Sequence, residues 1–295
     1  MSAMRRLLAC VSAVLVLASP VLAEATPPGS LVSPFVWRLV APGASPGEVD
    51  HLIGTMHVPL GPREFLPPPL VELLRRAEGF TMEVDLARVS AAAVAHWTRH
   101  QQPQALKRAL GPADWATLAR KARAVGLEPA SLEGYKAWYV SLLLVPTQAE
   151  AGRLMDSCLR REAEAGGAVS RYLETPDDQF QALDAVSDAE DLKQLREALH
   201  QPDSLADEAA RIEHAYRRGD LAAIEQDLLA SDRLAAYPDF YEQVFWARNR
   251  RWLPVLEEQA RQQRLVAAVG LGHLLGPKGL LASLAARGWQ VTRWL

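Results

Sequence analysis

The stretch that decides the fold reads His51-Leu-Ile-Gly54-Thr55-Met56-His57-Val-Pro-Leu-Gly61-Pro62-Arg63. It returns near the other end of the chain as Val269-Gly270-Leu271-Gly272-His273-Leu-Leu-Gly276-Pro277-Lys278. Each copy is an apolar run, then Gly-x-x-His, then a Gly-Pro and a basic residue. Each is followed by an apolar helical stripe and a second apolar run. Two histidines in matched loops of one domain can meet at a shared site.

Working outward from the first copy, Val36 to Val40 alternates as a strand should. The turn-rich Ala41-Pro-Gly-Ala-Ser-Pro-Gly47 leads into a second strand over Val49 to Thr55. Prolines 67–69 keep the following segment irregular. Leu70, Leu73, Leu74 and Ala77 then follow the i, i+3, i+4, i+7 spacing of an amphipathic helix, which Gly79 stops. Phe80 to Leu86 alternates as a strand. Residues 50–86 therefore read as a βαβ unit with parallel strands. The second copy repeats the plan: a strand from Arg264 to Val269, a stripe of Leu280, Leu281, Leu284 and Ala285, a stop at Gly288, and a strand from Trp289 to Leu295. Two similar strand–loop–helix–strand units at opposite ends of a chain point to one mixed central sheet in an α/β (α+β) fold.

Between them, about 87–260, the chain is rich in Ala, Leu, Glu and Arg and reads as a mostly helical insertion. Ser170 to Thr175 is a short strand candidate, and Pro176-Asp177-Asp178-Gln179 opens a helix. Arg218-Gly219-Asp220 imitates an adhesion motif, but Asp220 is better placed as the cap of a helix carrying Leu221, Ile224, Leu228 and Leu229.

Residues 1–23 have the form of a secretory signal: Arg5 and Arg6, an apolar run from Leu7 to Ala18, and a cleavage site at Val21-Leu22-Ala23. A periplasmic or secreted domain over residues 24–295 is the expectation. Without Cys10, Cys158 is the only cysteine, so no intramolecular disulfide staples the fold. The mature chain then holds 30 basic against 35 acidic residues, a balance that argues against a nucleic-acid-binding surface. No further apolar run approaches the length of a membrane span.

The chemistry follows from the loops. Open α/β sheets place ligands at the carboxyl ends of parallel strands, where His57 and His273 fall. Glu83 lies on the strand reached by crossover from the first copy. Two imidazoles and a carboxylate suit a divalent ion such as Zn²⁺, Mn²⁺ or Co²⁺, which would acidify a bound water. Glu174 or Asp85 could accept its proton. His96 and His100 have helical metal-ligand spacing but no glutamate between them. The zinc-protease, serine-hydrolase, phosphate-loop and dinucleotide fingerprints are missing.

With these residues in view, the chain resembles the TraB/PrgY/GumN family, which is related to the Tiki metalloproteases that cleave Wnt proteins. The resemblance runs from about Val36 to Leu295. It rests on Leu52 to His57, Thr81 to Asp85, Leu154-Met155-Asp156, Leu173-Glu174-Thr175 with Gln179, Gly219-Asp220, Arg248-Asn249, Gly270 to Gly276, Gly279-Leu280 and Gly288 to Val291. It implies a mixed α/β domain whose divalent-metal site is formed by His57, Glu83 and His273. Arg248 and Asn249 match a late Arg-Asn pair, and Asp156 and Glu174 also match family positions. A buried carboxylate paired to Arg248 would account for either acid. The function expected is a metal-dependent, metalloprotease-like hydrolase acting on a peptide or protein. In that reading Glu83, Glu174, Arg248 and Asn249 are catalytic, with Arg248 or Asn249 stabilising an oxyanion. The alternative is a non-enzymatic binder of a peptide, pheromone-like ligand or haem.

Overall fold

The computed structural model describes residues 34–45, 47–56, 66–144 and 155–295, with 202–209 described by backbone alone. His57, the leader 1–23 with its Cys10, and Leu154 lie outside the described residues.

Six strands form one mixed sheet: β1 (Phe35–Val40), β2 (Asp50–Thr55), β3 (Gly79–Val84), β4 (Val169–Glu174), β5 (Val266–Gly270) and β6 (Gln290–Arg293), in the order β4-β3-β5-β2-β1-β6. Strands β1 and β2 pair antiparallel with Trp37 opposite Leu52, as the turn-rich linker requires. Strand β5 runs parallel to both its neighbours, with Gly54 opposite Val269 and Thr81 opposite Ala267. All five residues of β5 are buried, which is why it reads as a continuous apolar run rather than an alternation. The edge strands β4 and β6 are more exposed.

The two sequence units share this sheet as expected, but they interleave. The first unit runs β2, helix α1 (Pro68–Arg75), β3; the second runs β5, helix α2 (Leu280–Ala286), β6. Strand β5 of the second unit sits between β2 and β3 of the first. Glu83 is therefore beside the His273 loop, not beside the strand that leads to His57. Gly54 shows how closely the halves meet: a Cβ there would stand 2.5 Å from Leu271 Cδ1. Only a glycine lets the end of β2 approach the turn after β5 so nearly.

Residues between β3 and β5 are mostly helical. They build a second apolar core from Leu118, Trp138, Tyr139, Phe180, Leu195 and Tyr241, distinct from the core that covers the sheet. Asp220 caps the helix Leu221–Leu228, its Oδ1 accepting from the Ala223 N–H at 3.1 Å. The pairing of His96 with His100 does not hold: the helix Ala91–Thr98 ends before His100. No helix among the described residues is long and apolar enough to cross a membrane.

Candidate functional site

Strands β3, β5 and β2 and the edge strand β4 all run the same way, so their carboxyl ends gather at one edge of the sheet. Glu83 is the penultimate residue of β3 and Glu174 the last of β4. After β5 the chain turns through a short 3₁₀ helix, Leu271–His273, which carries His273 inward. The fourth contribution is the helix Ala247–Gln262. Its buried face is Arg248, Asn249, Trp252, Leu253 and Leu256, the spacing of one helical stripe. A π-helical turn, Tyr241–Trp246, precedes it, and such turns recur at functional sites.

Arg248 is the centre of the cluster, with 3% of its surface exposed. Its Nη2 donates to Glu83 Oε2 at 2.8 Å and to Glu174 Oε1 at 2.7 Å. Its Nε donates to the same Glu174 oxygen at 3.0 Å. Its Nη1 reaches the carbonyl of Val244 and His273 Nε2, both at 3.1 Å. Burial works against the charge on Arg248, but Glu174 and Glu83 outweigh it, so the guanidinium stays cationic above its ordinary range. Burial likewise pushes the Glu174 carboxyl up, with Arg248 pulling it back.

His273 is 2% exposed. Its Nδ1 lies 2.8 Å from Asn249 Oδ1. The Asn249 amide nitrogen donates to the carbonyls of His273 at 3.0 Å and Lys278 at 3.2 Å. That network fixes Oδ1 as the acceptor, so Nδ1 carries the proton and Nε2 the lone pair. Trp252 and Phe245 flank the ring, with centroids at 4.4 and 5.0 Å. Glu83 Oε1 accepts the Gly270 N–H at 2.7 Å and stands 4.0 Å from His273 Nε2.

The structure thus brings together Glu83, Glu174, Arg248, Asn249 and His273. Asn249 differs from the oxyanion role expected of it: its amide hydrogens are given to two carbonyls, so it orients His273. Asp85 is not in the cluster. It caps a 3₁₀ turn through Ala87 N–H and pairs with Arg88 at 3.3 Å. Asp156 accepts from Thr55 Oγ1 at 2.7 Å, while the carboxylates on Arg248 are Glu83 and Glu174. Trp252 was missed. The signal for it was available, since it lies one helical turn beyond Arg248 and so shares its face.

The donor set can be tested against a divalent ion. An imidazole whose Nδ1–H is held by an amide oxygen, with Nε2 turned towards a carboxylate, is the arrangement that outer partners impose on metal-binding histidines. Two carboxylates and an imidazole stand around Arg248. In kind, these oxygen and nitrogen donors suit a divalent cation. Among the described residues, however, no three His, Cys, Asp or Glu side chains converge as a ligand group, and Arg248 stands against Nε2. An ion there requires Arg248 to yield that contact and a ligand from outside the described residues.

Comparison with known proteins gives one positive result. The family model described as TraB/PrgY/gumN family matches residues 35–293. No curated protein and no solved structure matches the chain.

Proposed function

The chain belongs to the TraB/PrgY/gumN family, and from that premise we propose that it is a divalent-metal-dependent hydrolase of peptide or protein substrates, secreted or periplasmic. The observation that carries the reading is the juxtaposition of two acceptor atoms, His273 Nε2 and Glu83 Oε1, at 4.0 Å, with the imidazole tautomer held by Asn249. His57, Glu83 and His273 would hold the ion. When bound, it would polarise a substrate carbonyl as a Lewis acid.

The chain's own residues set the conditions for that chemistry. Asn249 keeps the Nδ1 proton in place and so leaves the lone pair on Nε2, where Arg248 Nη1 now meets it. The Gly270 N–H holds one oxygen of Glu83, fixing the carboxylate beside the histidine. Arg248 supplies a buried positive charge beside Glu83 and His273, whose field favours negative charge that develops nearby, and its Nη1 is free to donate to it only once the His273 contact is given up. Packing of Phe245 and Trp252 against the imidazole keeps water from its faces, which strengthens each of these electrostatic contacts.

The test is hydrolysis of a mixed peptide library by the purified chain, with and without chelator. The expected result is turnover that chelation abolishes, that Mn²⁺, Co²⁺ or Zn²⁺ restores, and that falls at least about 100-fold in folded Glu83→Gln and His273→Ala, following the cost of losing an electrostatic group at a reacting centre. Peptides retained but never cleaved, with metal present, would replace this reading by the binding protein.

A further inference from the structure

Two carboxylates of the site, Glu83 and Glu174, differ in their surroundings. The Glu174 side chain is 3% exposed and that of Glu83 is 13%. Oε1 of Glu174 accepts from Arg248 Nε and Nη2 at 3.0 and 2.7 Å. Oε2 accepts from Trp252 Nε1 at 3.0 Å and more weakly from Arg248 Nε at 3.3 Å. A carboxylate has about four acceptor positions; these contacts come from two residues of one helix face, and Arg251 Nη2 stands 4.0 Å from Oε2 as well. Glu83 accepts from the Gly270 N–H and from Arg248, and it is the carboxylate that stands beside His273.

Trp252 makes this division. It is fully buried. Its N–H takes the Glu174 oxygen that Arg248 grips least, the Arg248 guanidinium lies over its ring at 4.5 Å, and the same indole packs on His273 at 4.4 Å. One side chain thus touches the anion, the cation and the imidazole. We infer that Trp252 is a positioning residue: its indole N–H commits Glu174 to Arg248 as a fixed counter-ion, leaving Glu83 and His273 as the pair that meets a ligand.

This inference rests on the proposed site but is separable from the proposed hydrolysis. The first readout needs no substrate and no metal. In uniformly ¹⁵N-labelled protein, the Arg248 Nε–H resonance, assigned by its loss in Arg248→Lys, should exchange slowly with solvent because both its acceptors are buried. Trp252→Phe keeps an aromatic ring but removes the donor. A benzothienylalanine at position 252 keeps the indole's shape as well, with sulfur in place of N–H, and serves if the phenylalanine variant does not fold. Either replacement should speed Arg248 Nε–H exchange at least about tenfold, since a tenfold change needs only about 1.4 kcal/mol, the scale of one hydrogen bond to a charged group. Trp246→Phe, outside the cluster, should leave it unchanged. The second readout is kinetic: where turnover is found, the same replacement should lower kcat about tenfold or more with KM little changed. Unaltered Arg248 exchange in a folded donor-less variant would overturn the assignment. Faster exchange in a chain that hydrolyses nothing would keep Trp252 as a positioning residue and count against the hydrolase alone.

Discussion

The two ends of the sheet bury ionisable groups in opposite ways. At the carboxyl end, Arg248 is met by Glu83, Glu174 and His273, and the guanidinium keeps its charge. At the amino end, Asp50 and His51 open β2 with 8% and 9% of their surface exposed. Among the described residues neither has an ion-pair partner. Asp50 accepts the Leu265 N–H at 2.6 Å, and His51 meets Trp294 edge-on with centroids 5.0 Å apart. Burial pushes Asp50 up to about 6 and His51 down to about 4, each shifted towards its neutral form. A buried ionisable group without an ion-pair partner is shifted towards neutrality; a buried charge that persists is one the fold has surrounded with partners. The end that keeps its charges is where chemistry is expected.

That contrast can be broken most forcefully at Arg248. Arg248→Met leaves two carboxylates facing each other without a cation, and unfolding in denaturant should show a loss of about 3–5 kcal/mol, the usual cost of orphaning a buried ion pair. A loss below about 1 kcal/mol, the scale of an exposed ion pair, would mean that the cluster is not the paired, dry network described.

A smaller effect is expected at Asn249. Asn249→Ala frees the His273 ring without removing a charge. Mn²⁺ binding followed by calorimetry should weaken about 10- to 100-fold, as for the loss of other outer partners of a metal-binding histidine, with folding retained. Unchanged affinity would separate the amide from the site's function.

The smallest effect lies at the other end of the sheet. The folded-state pKa of Asp50 is raised above its ordinary 3.8, so its protonated form favours the fold. That contribution is complete below about 3.8 and is lost as pH rises through about 6. His51 is depressed from 6.5, so its contribution is present above 6.5 and lost as pH falls through about 4. The two oppose each other between pH 4 and 6, so Asp50→Asn should gain stability relative to the wild type as pH rises through that window, by on the order of 1–2 kcal/mol once partial solvent exposure is allowed for. The wild-type slope persisting in the variant would locate the titration elsewhere.

Much of this architecture was legible in the chain. The duplicated Gly-x-x-His units, the all-apolar β5 and the short strand from Ser170 are local patterns, and local patterns report period and burial. The order of the strands was not legible. Insertion of β5 between β2 and β3 depends on contacts between distant segments, such as Gly54 against Leu271, that leave no period in either segment. The site divides along the same line. Glu83, Glu174, Arg248, Asn249 and His273 stand out by residue type and by family resemblance. The tautomer that Asn249 imposes, the capping duty of Asp85 and the hub position of Trp252 come from side-chain geometry alone. Trp252 reads as one more apolar residue on a helix until its N–H is seen on Glu174.

In the proposed function Glu83 and His273 form part of a divalent-metal site completed by His57. That site is tested by the metal content of the purified chain, prepared without chelator or affinity-tag histidines and measured by mass spectrometry beside His57→Ala, His273→Ala and Glu83→Gln. Near-stoichiometric divalent metal is expected in the wild type, with its loss in all three variants while each remains folded. A wild-type chain that stays metal-free when offered Mn²⁺, Co²⁺ and Zn²⁺, or one whose metal survives these substitutions, would contradict it.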